Sequence, residues 1–231
     1  MKKTLILLFV AALGAGTMSS CNKSNKGKLS GEWTLASLNS TSSSTSGNPV
    51  STSTAAVTIS GSAVTREESY TVSGNLNSST SNGVVNTATW NIEKDGTWTS
   101  VMGLTFTDNS NNGYTETEQS LETTSGTWSF VGKNKTADLG KNERVTMSTL
   151  ASSSSNTNTY TPTGGSPVIS NYSSSSTYAE GDNAATYLIT ESKKKDLTLT
   201  QVGASTSSST YAGGTSTSSS TSNATVVLTQ E

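Results

Sequence analysis

From Trp33 to Leu228 the apolar residues come in short runs that alternate with threonine and other polar residues. They show no i, i+3, i+4, i+7 spacing of useful length, so the chain lacks the stripe of an amphipathic helix. A period of two places alternate side chains on opposite faces of a strand, and it restricts the chain to sheets. Strand signals recur at Trp33–Leu35, Val57–Ile59, Tyr70–Val72, Ala88–Ile92, Trp98–Met102 and Leu104–Phe106. Further ones lie at Thr127–Phe130, Val145–Met147, Tyr187–Thr190, Leu197–Leu199 and Val226–Leu228. Threonine fills many outward positions, as suits a β-branched residue on a wet strand face.

The stretch TWNIEKDGTWTS, Thr89 to Ser100, specifies one hairpin closely. A two-residue Asp95-Gly96 loop would pair Ile92 with Thr99 and put Trp98 on the face opposite Trp90 and Ile92. A three-residue loop, Lys94-Asp95-Gly96, pairs Glu93 with Thr97, Ile92 with Trp98 and Trp90 with Ser100. All three apolar side chains then share a face. A slip of one residue moves a whole apolar set from core to solvent, so the three-residue loop is expected, with Gly96 at positive φ. Two further turns, Gly132 to Lys135 and Glu191 to Asp196, fit an antiparallel meander. Lys193 to Lys195 read as a solvated hairpin tip rather than an anionic-lipid contact.

Four stretches break the alternation: Asn39 to Thr54, Ser73 to Asn86, Ala151 to Asp182 and Gly203 to Asn223. They are rich in Ser, Thr, Asn and Gly, too polar to form a core, and related by no fixed period. Over a third of the chain is Ser or Thr, a composition shared with disordered stalks. The aromatic residues argue instead for ordered strands joined by polar segments, because all four Trp, with Tyr70, Phe106, Phe130 and Tyr187, fall in the alternating runs. The four stretches are expected as long loops or strand extensions, partly disordered.

The N-terminus has another character. Lys2 and Lys3 precede an apolar run from Leu5 to Leu13 and then small residues, the layout of a secretory signal over residues 1–20. The run is about half of the ~20 residues that span a bilayer. The only cysteine, Cys21, follows Met18-Ser19-Ser20, and this stretch resembles a bacterial lipobox in which the thiol is acylated after cleavage. Acyl chains contribute about 0.8 kcal/mol per buried methylene, so two or three hold a protein durably to a membrane. Residues 21–30 are then the lipidated cysteine with a polar tether, and residues 31–231 one all-β domain. Loss of Lys2 and Lys3 takes the formal charge from −2 to −4, which disfavours a nucleic-acid partner.

Several segments together resemble a family. KLSGEWTLASLN carries Gly31-x-Trp33 at the first strand, IEKDGTWTS and TSGTWSFVGKNK follow at mid-chain, and YLITESKKKDLTLT lies near the end. These look like the lipocalin-like lipoproteins of Bacteroidetes. The resemblance covers Leu29 to Glu231 and implies an antiparallel up-and-down barrel of about 8–10 strands with long Ser/Thr-rich loops. In lipocalins the G-x-W tryptophan, here Trp33, closes one barrel end beneath an arginine from the last strand. No arginine follows Val226-Val227-Leu228, because the only two are Arg66 and Arg144. The resemblance also implies an outer-membrane anchor. Asn22 to Lys26 is basic, without the acidic residues of surface-exported relatives, so a periplasm-facing protein is expected.

The absence of histidine removes Ser-His-Asp and Cys-His catalysis and the usual zinc and copper ligands. Glu67 and Glu68 would point to opposite faces of a strand, which does not suit paired acid–base work. Glu116 and Glu118 would share a face, with Asp108 nearby as a weak calcium contact. No phosphate-binding glycine loop stands between a strand and a helix. The expectation is a non-enzyme without cofactor or resident metal. Two functions remain open. A tethered barrel could hold a small apolar or amphipathic ligand against Trp33, Trp90, Ile92, Trp98, Trp128, Phe130, Leu197 and Leu199. Alternatively those residues fill a structural core, and the polar outer surface contacts envelope proteins or glycans.

Overall fold

A computed structural model describes residues 26–46, 51–72, 74–109, 113–133, 142–193, 195–211 and 214–230. The expected signal, Cys21 and the start of the tether lie outside these residues, as does the Asn134-Lys135 part of one expected turn. One short helical turn, α1 (Lys26–Leu29), leads into eleven strands. They are β1 (Gly31–Ser46), β2 (Ser51–Ser60), β3 (Ala63–Val72), β4 (Asn75–Ile92), β5 (Thr97–Asp108) and β6 (Tyr114–Lys133). The rest are β7 (Glu143–Pro162), β8 (Val168–Thr177), β9 (Ala184–Ser192), β10 (Asp196–Tyr211) and β11 (Gly214–Thr229).

All eleven form one sheet whose pairings are antiparallel. It closes on itself through β1–β11 and β6–β7, so that β1 to β7 and β9 to β11 make a ring of ten strands. β8 lies outside the ring, paired with the upper half of β7. At the base the ring is narrower. Gly31 to Thr34 of β1 pair directly with Thr89 to Ile92 of β4, leaving β1, β4, β5, β6, β7, β9, β10 and β11 around the wall. Above that point the β2–β3 hairpin wedges between β1 and β4. Both strands carry an irregularity where they part, Leu35/Ser37 on β1 and Val85/Thr87 on β4. The turn of the hairpin docks there: Gly61 N–H donates to the Ala36 carbonyl (3.0 Å) and Val85 N–H donates to the Ser62 carbonyl (2.9 Å). Bulges of this kind bend a strand and re-aim its pairing.

The expected hairpin forms as derived. Ile92 opposes Trp98, Trp90 opposes Ser100, Glu93 N–H donates to the Thr97 carbonyl (2.9 Å), and Gly96 has φ 95°. Asp95 Oδ1 accepts from Thr97 N–H (2.9 Å) and Thr97 Oγ1–H (2.7 Å), which braces the turn. These bonds hold the Asp95 carboxyl below its ordinary pKa.

The four polar stretches are largely strand. Asn39–Ser46 and Ser51–Thr54 continue β1 and β2, Asn75–Asn86 continues β4, and Ser205–Tyr211 pairs through Gly214–Ser220 in a register without a slip. Within Ala151 to Asp182 lies a whole strand that the alternation did not announce, β8, whose ten residues are all exposed. Of the two readings left open, loop or extension, the extension is the one realised. Cross-strand hydroxyl pairs accompany it, among them Ser43–Thr221 (2.8 Å), Thr54–Ser69 (2.7 Å) and Ser154–Ser174 (2.8 Å). β7, at 20 residues, spans about 65 Å.

The core occupies only the base. It gathers Leu29, Trp33, Leu35, Ile59, Val64, Ala88, Ile92, Trp98, Phe106, Trp128, Val145, Met147, Ile189, Leu197, Leu199, Val226 and Leu228. Leu29 corrects two expectations. It belongs to the short helical turn α1, in a region read as free of helix, and it is 1% exposed, so the packed body begins inside the segment read as a polar tether. The reason is Trp33, whose indole N–H donates to the Leu29 carbonyl (2.9 Å) and holds α1 against the barrel end. No helix among the described residues is long and apolar enough to cross a membrane.

Candidate functional site

The eight residues that could line a ligand cavity or fill a core lie together in the base. Trp33, Ile92, Trp98, Trp128, Leu197 and Leu199 are buried, while Trp90 and Phe130 are partly buried against them. Trp90 and Trp98 stack at 5.9 Å between ring centroids. Trp98 N–H donates to the Thr127 carbonyl (3.0 Å) and Trp128 N–H to the Glu93 carbonyl (2.8 Å), so these indoles lock neighbouring strands. Buried tryptophans normally find such a partner. Leu197 and Leu199 have no measurable exposure.

Side chains directly opposite one another in an antiparallel pair lie on the same face, so the register traces rungs around the inner wall. One rung runs Leu199, Val226, Leu38, Ile59, Val64, Gly83, Phe106 and Glu118. It is apolar until its last member. The next rung up reads Gln201, Ala224, Ser40, Val57, Arg66 and Ser81. Above it stand Ser42, Ala55, Glu68 and Ser79, then Ser44, Ser53, Tyr70 and Asn77. The inner face thus changes over these steps from mostly hydrocarbon to mostly hydroxyl, amide and charge, with Val57, Ala224 and Ala55 remaining apolar.

Arg66 marks the change. It reaches from β3 past β4 and β5 to Glu118 on β6, with Nη1 donating to Oε1 (3.2 Å) and Nη2 to Oε2 (2.7 Å). On the way its guanidinium lies 4.4 Å over the Phe106 ring. The planar fork of arginine suits this combination of bidentate carboxylate contact and stacking. The hydrogen bond to Glu118, opposed by burial and aided by the charges of Glu118 and Glu68, keeps the guanidinium pKa above its ordinary value. Gly83 is needed at this point: a Cβ there would meet the Thr105 carbonyl and come within 2.8 Å of the Phe106 ring.

Above the end of β5 the wall is notched, since β4 and β6 both continue past Asp108. A cleft of about 490 Å³ opens there, bordered by Arg66, Asn82, Phe106, Asp108, Glu116 and Glu118. Glu116 pairs with Tyr160 across to β7, and the Tyr160 ring sits 4.3 Å from that of Tyr114. Two other concavities have mixed lining. One, of about 570 Å³, lies among Thr41, Thr54, Ala55, Ala56, Glu67 and Thr80, and the other, of about 550 Å³, lies at the base beside Glu32, Trp33, Trp90, Asn91 and Gln230.

As expected, Glu67 and Glu68 take opposite faces, and Glu116 and Glu118 share one. Among the described residues no group of three or more His, Cys, Asp or Glu is placed to hold a metal ion, so the Asp108 calcium contact gains no support. Arg66, Tyr114 and Tyr160 were not singled out in the sequence. Arg66 gave only the signal of being one of two arginines in the chain. The tyrosines gave none, since their rungs depend on the register. No family model, no curated protein and no solved structure matches the chain.

Proposed function

We propose that this chain is a non-catalytic, lipid-anchored protein of the cell envelope whose barrel core is structural and whose polar upper sheet is its contact surface. The observation that carries this is the switch at the Arg66 rung. Every residue that would have lined an apolar calyx is packed in the base, and the wall above it presents hydroxyls, amides and charges. Such a surface selects partners by hydrogen bonding, as glycans and polar protein surfaces allow. Acylation of Cys21, as the lipobox-like stretch implies, and a periplasm-facing anchor, as the basic Asn22–Lys26 segment implies, would tether the hydroxyl-lined rim to the membrane.

Native mass spectrometry of residues 22–231, purified gently from a lipid-containing host, tests the reading. The expected spectrum shows the bare polypeptide mass. A reproducible extra mass of a few hundred daltons, extractable into organic solvent and lost on denaturation, would overturn it in favour of an apolar carrier.

A further inference from the structure

We infer that β8 is a self-association edge, through which two copies of this chain pair antiparallel about a two-fold axis. This rests on the polar-contact reading above and names a partner for one edge of the upper sheet. A strand offers hydrogen bonds along both of its edges, and an edge left open is a template for another strand.

β8 has one edge filled and one open. The filled edge pairs with β7 over ten consecutive positions, from Val168–Tyr160 to Thr177–Ala151, without a bulge. A Ser154–Ser174 hydroxyl pair (2.8 Å) and a bond from Thr157 Oγ1–H to Asn171 Oδ1 (2.9 Å) hold it in that register. Among the described residues no strand pairs with the other edge. The devices that blunt an open edge are missing, since VISNYSSSST contains no charged residue, no proline and no glycine. All ten residues are exposed, Val168, Ile169 and Tyr172 at 63, 59 and 66%.

Closure and charge identify the partner. A loose extended segment laid on β8 would carry a new open edge in its turn, whereas a strand that already ends a sheet leaves none. The β8 of a second copy is such a strand, so pairing the two uses both open edges and the assembly stops at two. The chain is net negative, and copies repel on average, but neither β8 nor the Ala151–Pro162 half of β7 beside it holds a charged residue. The two-fold axis of such a pair passes between one residue and its own copy. Placed at Tyr172, it sets ring against ring, Asn171 against Ser173 and Ile169 against Ser175, and the aromatic pair adds to the ladder. One strand pair is at the small end of specific interfaces, so a dissociation constant of about 10–100 μM is expected.

Sedimentation equilibrium and native mass spectrometry of residues 22–231, which hold every described residue and no cysteine, form the experiment. A monomer–dimer equilibrium is expected. Tyr172→Lys and Tyr172→Glu each place like charges across the axis and should each weaken the dimer about tenfold or more, and Tyr172→Phe by no more than about twofold. An equimolar mixture of Tyr172→Lys and Tyr172→Glu should restore association, because the two charges then meet with opposite sign. Unchanged near-ultraviolet circular dichroism from the buried tryptophans shows that each variant is folded, as the exposed position of Tyr172 predicts. A chain monomeric up to about 1 mM, a dimer indifferent to both charged variants, a mixture that stays monomeric, or an open series of larger species would each overturn the inference. A monomer of bare mass leaves the polar-contact reading standing. An apolar cargo in the native spectrum removes that reading by itself.

Discussion

Trp33, Trp98 and Trp128 each spend the indole N–H on a backbone carbonyl of another segment, at 2.9, 3.0 and 2.8 Å, so each contributes both packing and a tie between segments. Trp33→Ala should cost about 3–5 kcal/mol in urea unfolding, through the cavity it leaves and the unsatisfied Leu29 carbonyl. Trp33→Phe should cost less, since most of the volume remains. Tyr187 gives a pH-dependent counterpart. Burial alone pushes its phenol pKa up from its ordinary value. Below about pH 9 the phenol is neutral in both states and contributes no pH dependence. As pH rises above that value the unfolded chain ionises first, the unfolded state gains, and stability falls. The urea midpoint should therefore drop between pH 9 and 11, and Tyr187→Phe should make the drop smaller; an identical drop in the variant would count against it.

Strands built from two compositions meet in this sheet. The lower halves alternate, and burial fixes their register because a slip would put a whole apolar set in water. The upper halves have no such constraint, yet they pair in register for long runs, the seven consecutive pairs from Ser205–Ser220 to Tyr211–Gly214 being one stretch of the β10–β11 ladder. Their register is inherited from the base and held by short turns. Two elements should be sensitive to single changes. Gly126 faces the Ser148 carbonyl so closely that a Cβ cannot be accommodated, and Gly126→Ala should destabilise the β6–β7 pair and lower Tm by several degrees. Gly96, at φ 95°, holds the Lys94–Gly96 loop, and Gly96→Ala should cost about 1 kcal/mol in the same assay. That loop was legible in the sequence because three apolar residues had to share a face. The strand β8 was not, because VISNYSSSST has no alternation to read and no buried residue.

For the molecule as a whole, the separation of an apolar base from a hydroxyl-lined top predicts that stability resides below the Arg66 rung. Replacing residues 207–218, the outer β10–β11 hairpin, with a two-residue Asn-Gly turn between Thr206 and Ser219 should leave the near-ultraviolet circular dichroism intact and shift Tm by only a few degrees. Cooperative loss of the fold would show that the polar extension contributes to the core. The sequence by itself determined the sheet, the faces of its lower strands, one hairpin to the residue and the lack of histidine chemistry. Each of these follows from the alternation of residues close in the chain or from their kinds alone. The tertiary structure decided that the serine tracts are strands, that Leu29 is core, that the β2–β3 hairpin widens an eight-stranded base into a ring of ten, and that Arg66 meets Glu118 across the Phe106 ring. Serine and threonine are equally at home in a loop or on a wet strand, so their conformation is set by the partner strand beside them, and those partners are fixed only when the apolar base closes.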